Sequence, residues 1–297
     1  MNHTDHYESI AVGHIQRALA TFNSAEEWGR YVQFGALIAF GFAVGAKQII
    51  SRLGWLLCLA GLSTVLVMTG QRTAIFGLVA GVGVFILLGA ENWVGVIKRC
   101  LMMGLPVVVL LLIAKPPSAQ EMWEKDKEDK FGTMLSHTTR GTLQPTKEGS
   151  LDERFRIWGI LATKIIPARP FGTGISAGTV ASARYADVTS ELYPIDSFIA
   201  VILVGCSLPV ALLFVGILVR IQWIGVRVFK RAAPGTHEAI LRRIAAALVS
   251  MLILNSIFGL TFMIYSAAPI AWMVIGWLCS EFARDEQELA GELLPEF

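Results

Sequence analysis

Four charged side chains in this sequence combine the residue types and spacing that chemistry needs: Arg72, Arg154, Arg156 and Asp196. An arginine guanidinium is planar, permanently charged and forked, so it suits phosphate recognition better than the point charge of lysine. A carboxylate such as Asp196 can orient or deprotonate a hydroxyl as a general base. Each also has a plainer reading. Arg72 can snorkel to a membrane boundary, and Asp196, within Pro194-Ile195-Asp196-Ser197, can cap a helix. The stretch Phe171-Gly172-Thr173-Gly174 adds two glycines that let a backbone turn tightly or approach a ligand closely, and an ordinary turn is the simpler account.

The elements that must hold these residues are membrane helices. Of the residues, 54% are hydrophobic and only 16% are charged, which takes the chain out of the ordinary soluble range. The apolar residues fall in runs of about 17 to 23, the length a helix needs to cross the hydrocarbon of a bilayer. A net charge of +2 gives no global field for nucleic acid. The four cysteines, Cys58, Cys100, Cys206 and Cys279, show no metal or disulfide spacing and read as small buried hydrophobes. No Asp-x-Asp pair or His/Cys cluster points to a metal, and His3, His6 and His14 are too irregularly placed for one. Residues 1–30 carry no signal peptide, so insertion is expected through the helices themselves.

The expected fold is all-α, with about seven transmembrane helices and one large extracytoplasmic loop. Spans are placed at about Tyr31 to Ala46, Leu53 to Thr69, Thr73 to Ala90 and Cys100 to Ala114, then Asp196 to Val219, Ile244 to Met263 and Ser266 to Phe282. The domain reading is therefore an N-terminal segment 1–30, four helices in 31–114, a polar loop 115–195, three helices in 196–282 and a tail 283–297. Gly77, Gly81 and Gly83 in the third span suit close helix packing. Residues 220–243, with Arg220, Arg227, Lys230, Arg231, Arg242 and Arg243, read as a basic connection and therefore as cytoplasmic. Counting back through the spans puts 115–195 and the Gly70 to Arg72 turn outside, and the short basic turns at Lys47 to Arg52 and Lys98 to Arg99 inside. The same count puts 1–30 outside. An odd number of further spans upstream accounts for this, so the chain reads as the C-terminal part of a longer membrane protein or a short version of one.

Within the polar loop, Glu121 to Lys130 is a mixed-charge run that reads as solvated surface. Ser150-Leu-Asp-Glu153 resembles a capping box that opens an amphipathic helix to Ile166, with Arg154, Arg156 and Lys164 among Phe155, Trp158, Ile160 and Leu161. Such a helix can lie flat on a membrane surface. The topology gathers Arg72, Arg154, Arg156 and Asp196 at one face, and charges at that depth face a cavity or a partner.

The order of these features also carries a resemblance. Thr21-Phe22 precedes two spans, and Thr69-Gly-Gln-Arg72-Thr-Ala opens a third. A large loop follows with Arg156-Ile-Trp158 and Pro170-Phe-Gly-Thr-Gly174, and then Asp196-Ser-Phe. The series resembles the O-antigen ligase and O-antigen polymerase family of bacterial integral membrane proteins. The resemblance implies a glycan transferase at the periplasmic face of the inner membrane, acting on an oligosaccharide carried by undecaprenyl pyrophosphate. It assigns Arg72 and Arg156 to the pyrophosphate, with Arg154 as their neighbour. Asp196 takes the neighbourhood where ligases carry a histidine. Catalytic roles are thus expected for Asp196 and Arg156, without a cofactor. The implied partners are the lipid-linked donor, a glycan or lipid acceptor, membrane lipids and other polysaccharide-export proteins. Two other readings are a permease and a truncated, non-catalytic assembly partner. A permease predicts ionisable groups near helix midpoints; the expected spans are nearly free of them, and Asn255 is their main polar exception.

Overall fold

The computed structural model of the chain describes residues 25–90, 95, 150–174, 197–259, 262 and 267–293. Among these residues every regular element is helical: α1 (Ala25–Gly45), α2 (Ile49–Met68), α3 (Arg72–Leu88), α4 (Ser150–Ile160), α5 (Phe198–Gly205), α6 (Leu208–Arg231), α7 (His237–Phe258) and α8 (Ala268–Leu293). α4 runs on through a π-helical turn, Leu161–Ile165, and a last turn, Ile166–Ala168. The expected fourth span, the charged run Glu121 to Lys130, the segment 1–24 and Asp196 lie outside the described residues.

Three helices, α2, α6 and α7, are long and apolar enough to cross a membrane, and α3 is a shorter apolar helix. α7 is the central post. Of its apolar window 61% is buried, against 6% for α2, which leaves one face of α2 to lipid. α3 and α1 pack on one side of α7, and α6 and α8 on the other. Small residues permit this approach. A methyl added at Gly81 would meet Leu37 Cδ2 at 2.8 Å, and one at Gly225 would meet Ala246 at 3.2 Å. Gly83 has open space around it, so the packing role expected there falls to Gly77 and Gly81.

Residues 220–243 are not the open connection that their charge suggested. α6 carries Arg220, Arg227, Lys230 and Arg231, α7 carries Arg242 and Arg243, and only 232–236 form the loop. Thr236 caps α7, its Oγ1 accepting from the Ala239 amide at 3.1 Å. Arg231 and Arg242 are tolerated in helix because α8, which runs on past the expected span into the expected tail, supplies carboxylates. Arg242, 3% exposed, donates to both Asp285 oxygens at 2.9 Å, to Glu281 at 2.8 Å and to the Val228 carbonyl at 2.9 Å. A buried arginine persists when its fork is matched this way.

The cysteines also differ from expectation. Cys58 and Cys279 are exposed on the outer faces of α2 and α8, and Cys206 is half-buried. Cys58 remains in apolar company, with Leu56 and Leu57 exposed on the same helix, and Cys100 lies outside the described residues.

The expected fifth span is broken. α5 stops at Gly205 and α6 starts at Leu208, with Ser207 between them at a φ of 152° that side-chain-bearing residues rarely take. The Ser207 hydroxyl caps α6 by accepting from the Val210 amide at 3.3 Å, and Pro209 occupies its first turn. Inside a membrane, backbone freed by a break must find partners in the protein. Here the turn after α4 supplies them, as described next.

Candidate functional site

The helix ends sort into two groups. Gly45, Gly89, Arg231, Arg242 and Asp285 gather at one end of the bundle, as the approach of Gly45 to Ile240 and of Gly89 to Arg243 shows. The starts of α1, α3 and α5 and the finish of α7 gather at the other, which holds the candidate site.

Arg72 is the first residue of α3 and is half-buried. A cation at a helix N-terminus opposes the helix dipole, so helix stability does not explain it. The same dipole and the guanidinium both favour an anion there.

Beside it lies a residue that sequence reasoning passed over. Arg30 of α1 is 1% exposed and donates to Thr73 Oγ1 at 3.1 Å and to Glu26 at 3.4 Å. Its guanidinium also lies against Gly259, at the finish of α7, where a side chain would have no room. The Gly259 carbonyl accepts from the Phe198 amide, the first of α5, at 3.0 Å. Arg30 therefore joins the residue after Arg72 to the place where the chain leaves Asp196 and enters α5. One turn below, Gln33 and Asn255 are buried at 0% and 1% exposure and both face Gly77. A methyl there would stand 2.5 Å from Asn255 Oδ1 and 2.8 Å from Gln33 Nε2.

The N-cap of α5 is Ser197, not Asp196: its hydroxyl accepts from the Ala200 amide at 3.3 Å and donates to the Ser256 carbonyl at 3.3 Å. The helix start thus has its capping group without the carboxylate. Asp196 itself lies outside the described residues.

α4 packs on α5 through Ile157 and Leu161, which meet Ala200, Val201 and Val204. The amphipathic face expected for a membrane surface is thus partly spent on protein, while Phe155 remains 70% exposed. Arg156 is on the exposed side of α4, and Arg154 lies two residues earlier on the same helix. The π-helical turn at Leu161–Ile165 lies on the stretch of α4 that meets α5; such turns recur at functional sites.

Gly172 and Gly174, at φ of 81° and 113°, shape the turn that fills the α5–α6 break. The Thr173 amide and hydroxyl donate to the Val204 carbonyl at 2.7 and 2.9 Å, the Gly174 amide donates to Gly205 at 3.0 Å, and the Leu208 amide donates to Pro170 at 3.2 Å. A methyl on Gly172 would stand 2.7 Å from the Cys206 backbone. The close approach for which Gly172 is needed is therefore to the chain itself, whereas Gly174 is needed for its positive φ alone.

Comparison with known proteins bears on this arrangement. The model of the O-antigen ligase family matches residues 55–198, about half of the chain, from within α2 to the first residue of α5. The matched segment contains Arg72, Arg154, Arg156, Gly172, Gly174 and Asp196, whereas Arg30 lies before it. A search of curated proteins found no match.

Proposed function

We propose that this chain, whose residues 55–198 belong to the O-antigen ligase family, transfers an oligosaccharide from a polyprenyl pyrophosphate carrier at the periplasmic face of the inner membrane. Arg72 and Arg156 bind the pyrophosphate, with Arg154 beside them, and Asp196 serves the acceptor hydroxyl. In this arrangement 115–195 is the periplasmic loop, between helices in 31–114 and 196–282, and the C-terminus is cytoplasmic.

The observation that carries the reading is the Arg30 junction. It ties the start of α3 to the start of α5 through Thr73 and Gly259, while α4 leans on α5. The starts of α3, which bears Arg72, and of α5 thus meet at one end of the bundle, and α4, which bears Arg154 and Arg156, packs against α5; this supports the reading.

The chemistry follows from charge. Breaking a glycosyl pyrophosphate leaves negative charge on the departing diphosphate, and preorganised guanidinium groups in a partly dehydrated cleft stabilise it as it develops. Asp196 takes the proton of the attacking hydroxyl as the new glycosidic bond forms. The product is a lengthened glycan or a capped lipid, released with the free carrier pyrophosphate.

A deletion strain separates these outcomes. Loss of chain length in capsule, exopolysaccharide or lipopolysaccharide ladders identifies a polymerase, and loss of all capped lipid identifies a ligase. Unchanged glycans in a strain with no second copy would overturn the proposal.

A further inference from the structure

The charged end of the bundle, opposite the candidate site, has most of its cations matched. Arg231 pairs with Glu286 at 2.5 Å. Arg242 holds Glu238, Glu281 and Asp285. Arg284 meets Glu238, Glu281 and Glu288, and Arg243 donates to the Phe85 carbonyl while lying over the Phe85 ring.

Arg220 and Arg227 on α6 differ. Both are exposed, and among the described residues the contact each makes is with the ring of Trp223. Arg220 reaches the indole from one turn before it, at 3.9 Å to the ring centre, and Arg227 from one turn after, at 4.2 Å. The guanidinium carbons are therefore at most about 8 Å apart. Cation–π attraction holds each one, yet it supplies no hydrogen-bond acceptor, and the two like charges repel. Trp223 is itself steadied against Phe282 of α8. Glu286 on α8 is engaged by Arg231, which lies over Phe282.

The same face of α6 has a second part. Val210, Leu213 and Ile217 are exposed at 43%, 65% and 45%, and they lead at helical spacing to Arg220. α6 is long and apolar enough to cross a membrane. Arg227 is next to Val228, whose carbonyl holds Arg242 within the charged layer, so it sits at the water boundary. Arg220 starts two turns deeper, about 10 Å along the axis, and its side chain runs back toward Trp223. A guanidinium at that depth needs an acceptor supplied from the bilayer. An apolar stripe that ends in an indole and two forked cations matches one kind of molecule, with a tail, an interfacial level and a phosphate.

We propose that Arg220, Trp223 and Arg227 form a binding site for the headgroup phosphate of an anionic phospholipid whose acyl chain lies along Val210, Leu213 and Ile217. The two guanidinium forks share the phosphate oxygens, and the lipid's charge removes the repulsion between the arginines. A free inorganic phosphate offers the same oxygens without the tail.

The test uses the full chain in nanodiscs of phosphatidylcholine doped with phosphatidylglycerol, extracted into mild detergent, with retained lipid counted by native mass spectrometry. Wild type should retain phosphatidylglycerol over phosphatidylcholine, and the double variant Arg220→Gln, Arg227→Gln should lose about 30-fold of that preference without a change in thermal midpoint. If the double variant does not fold, Arg227→Gln alone should still weaken retention. In the Arg220→Gln background, Arg227→Lys in place of Arg227→Gln should recover less than half of the loss, because lysine lacks the fork. Equal retention of the two lipids by wild type, or undiminished phosphatidylglycerol on a folded variant, would overturn the site. Displacement of the lipid by millimolar inorganic phosphate would show a free-anion site instead.

Discussion

Arg30 donates a hydrogen bond to Thr73 Oγ1 at 3.1 Å, so a buried cation on α1 holds the first turn of α3 next to Arg72. If that contact positions Arg72 for the diphosphate, Arg30→Met should cost stability and function separately. The lost charged hydrogen bond should lower stability by about 1.5–3 kcal/mol, read as a thermal midpoint in detergent. Transfer activity should fall at least about tenfold more than a folded fraction accounts for. Thr73→Val, which removes one hydroxyl from the same pair, should show the milder form of both effects.

Gly77 is needed where Gln33 and Asn255 converge on α3. Gly77→Ala should destabilise the bundle by about 1–3 kcal/mol through overpacking. Asn255→Ala should relieve part of that loss, so a double-mutant cycle should give coupling of about 0.5–3 kcal/mol. Strict additivity in denaturant unfolding would mean that the two residues do not share this space.

The two loop glycines should separate. Gly172→Ala meets both a positive φ and the Cys206 backbone, whereas Gly174→Ala meets only the positive φ in open space. The first should cost about 1–3 kcal/mol and expose the turn to limited proteolysis; the second should cost less and leave the digestion pattern near wild type.

Removing the cation of the buried charged layer should be severe. Arg242→Met takes the counterion from Asp285, at 7% exposure, and leaves Glu281, at 8%, only the exposed Arg284, a change worth about 3–5 kcal/mol. Adding Glu281→Gln and Asp285→Asn should restore part of the midpoint, because the penalty comes from uncompensated carboxylates.

How far the sequence disclosed this structure depended on what each signal measures. Apolar runs located α2, α3 and α7 because span length is set by the bilayer and written locally. Residues 220–243 looked like a loop because the neutralisation of Arg231 and Arg242 comes from Glu286, Glu281 and Asp285, far along the chain. Arg30 was passed over because it sits where a polar segment meets an apolar one, and only the fold brings Thr73 and Gly259 to it. The break at Ser207 had a local sign, a serine shortly before Pro209, hidden within a continuous apolar run. Asn255 was noticed as the polar exception of its span, but its role required knowing that Gly77 faces it. The order of arginines and glycines carried the resemblance, which the O-antigen ligase family model matches over residues 55–198.

The central claim concerns Arg72 and Arg156, and purified chain in lipid nanodiscs tests it with a polyprenyl pyrophosphate-linked oligosaccharide and an acceptor. Release of the free carrier pyrophosphate is the quantity to follow, with Arg169→Ala, an exposed arginine on the adjoining turn, as the control. Arg72→Ala and Arg156→Ala should each slow release by about 100-fold or more while the control stays near wild type. Release at the wild-type rate from either folded variant would contradict the account.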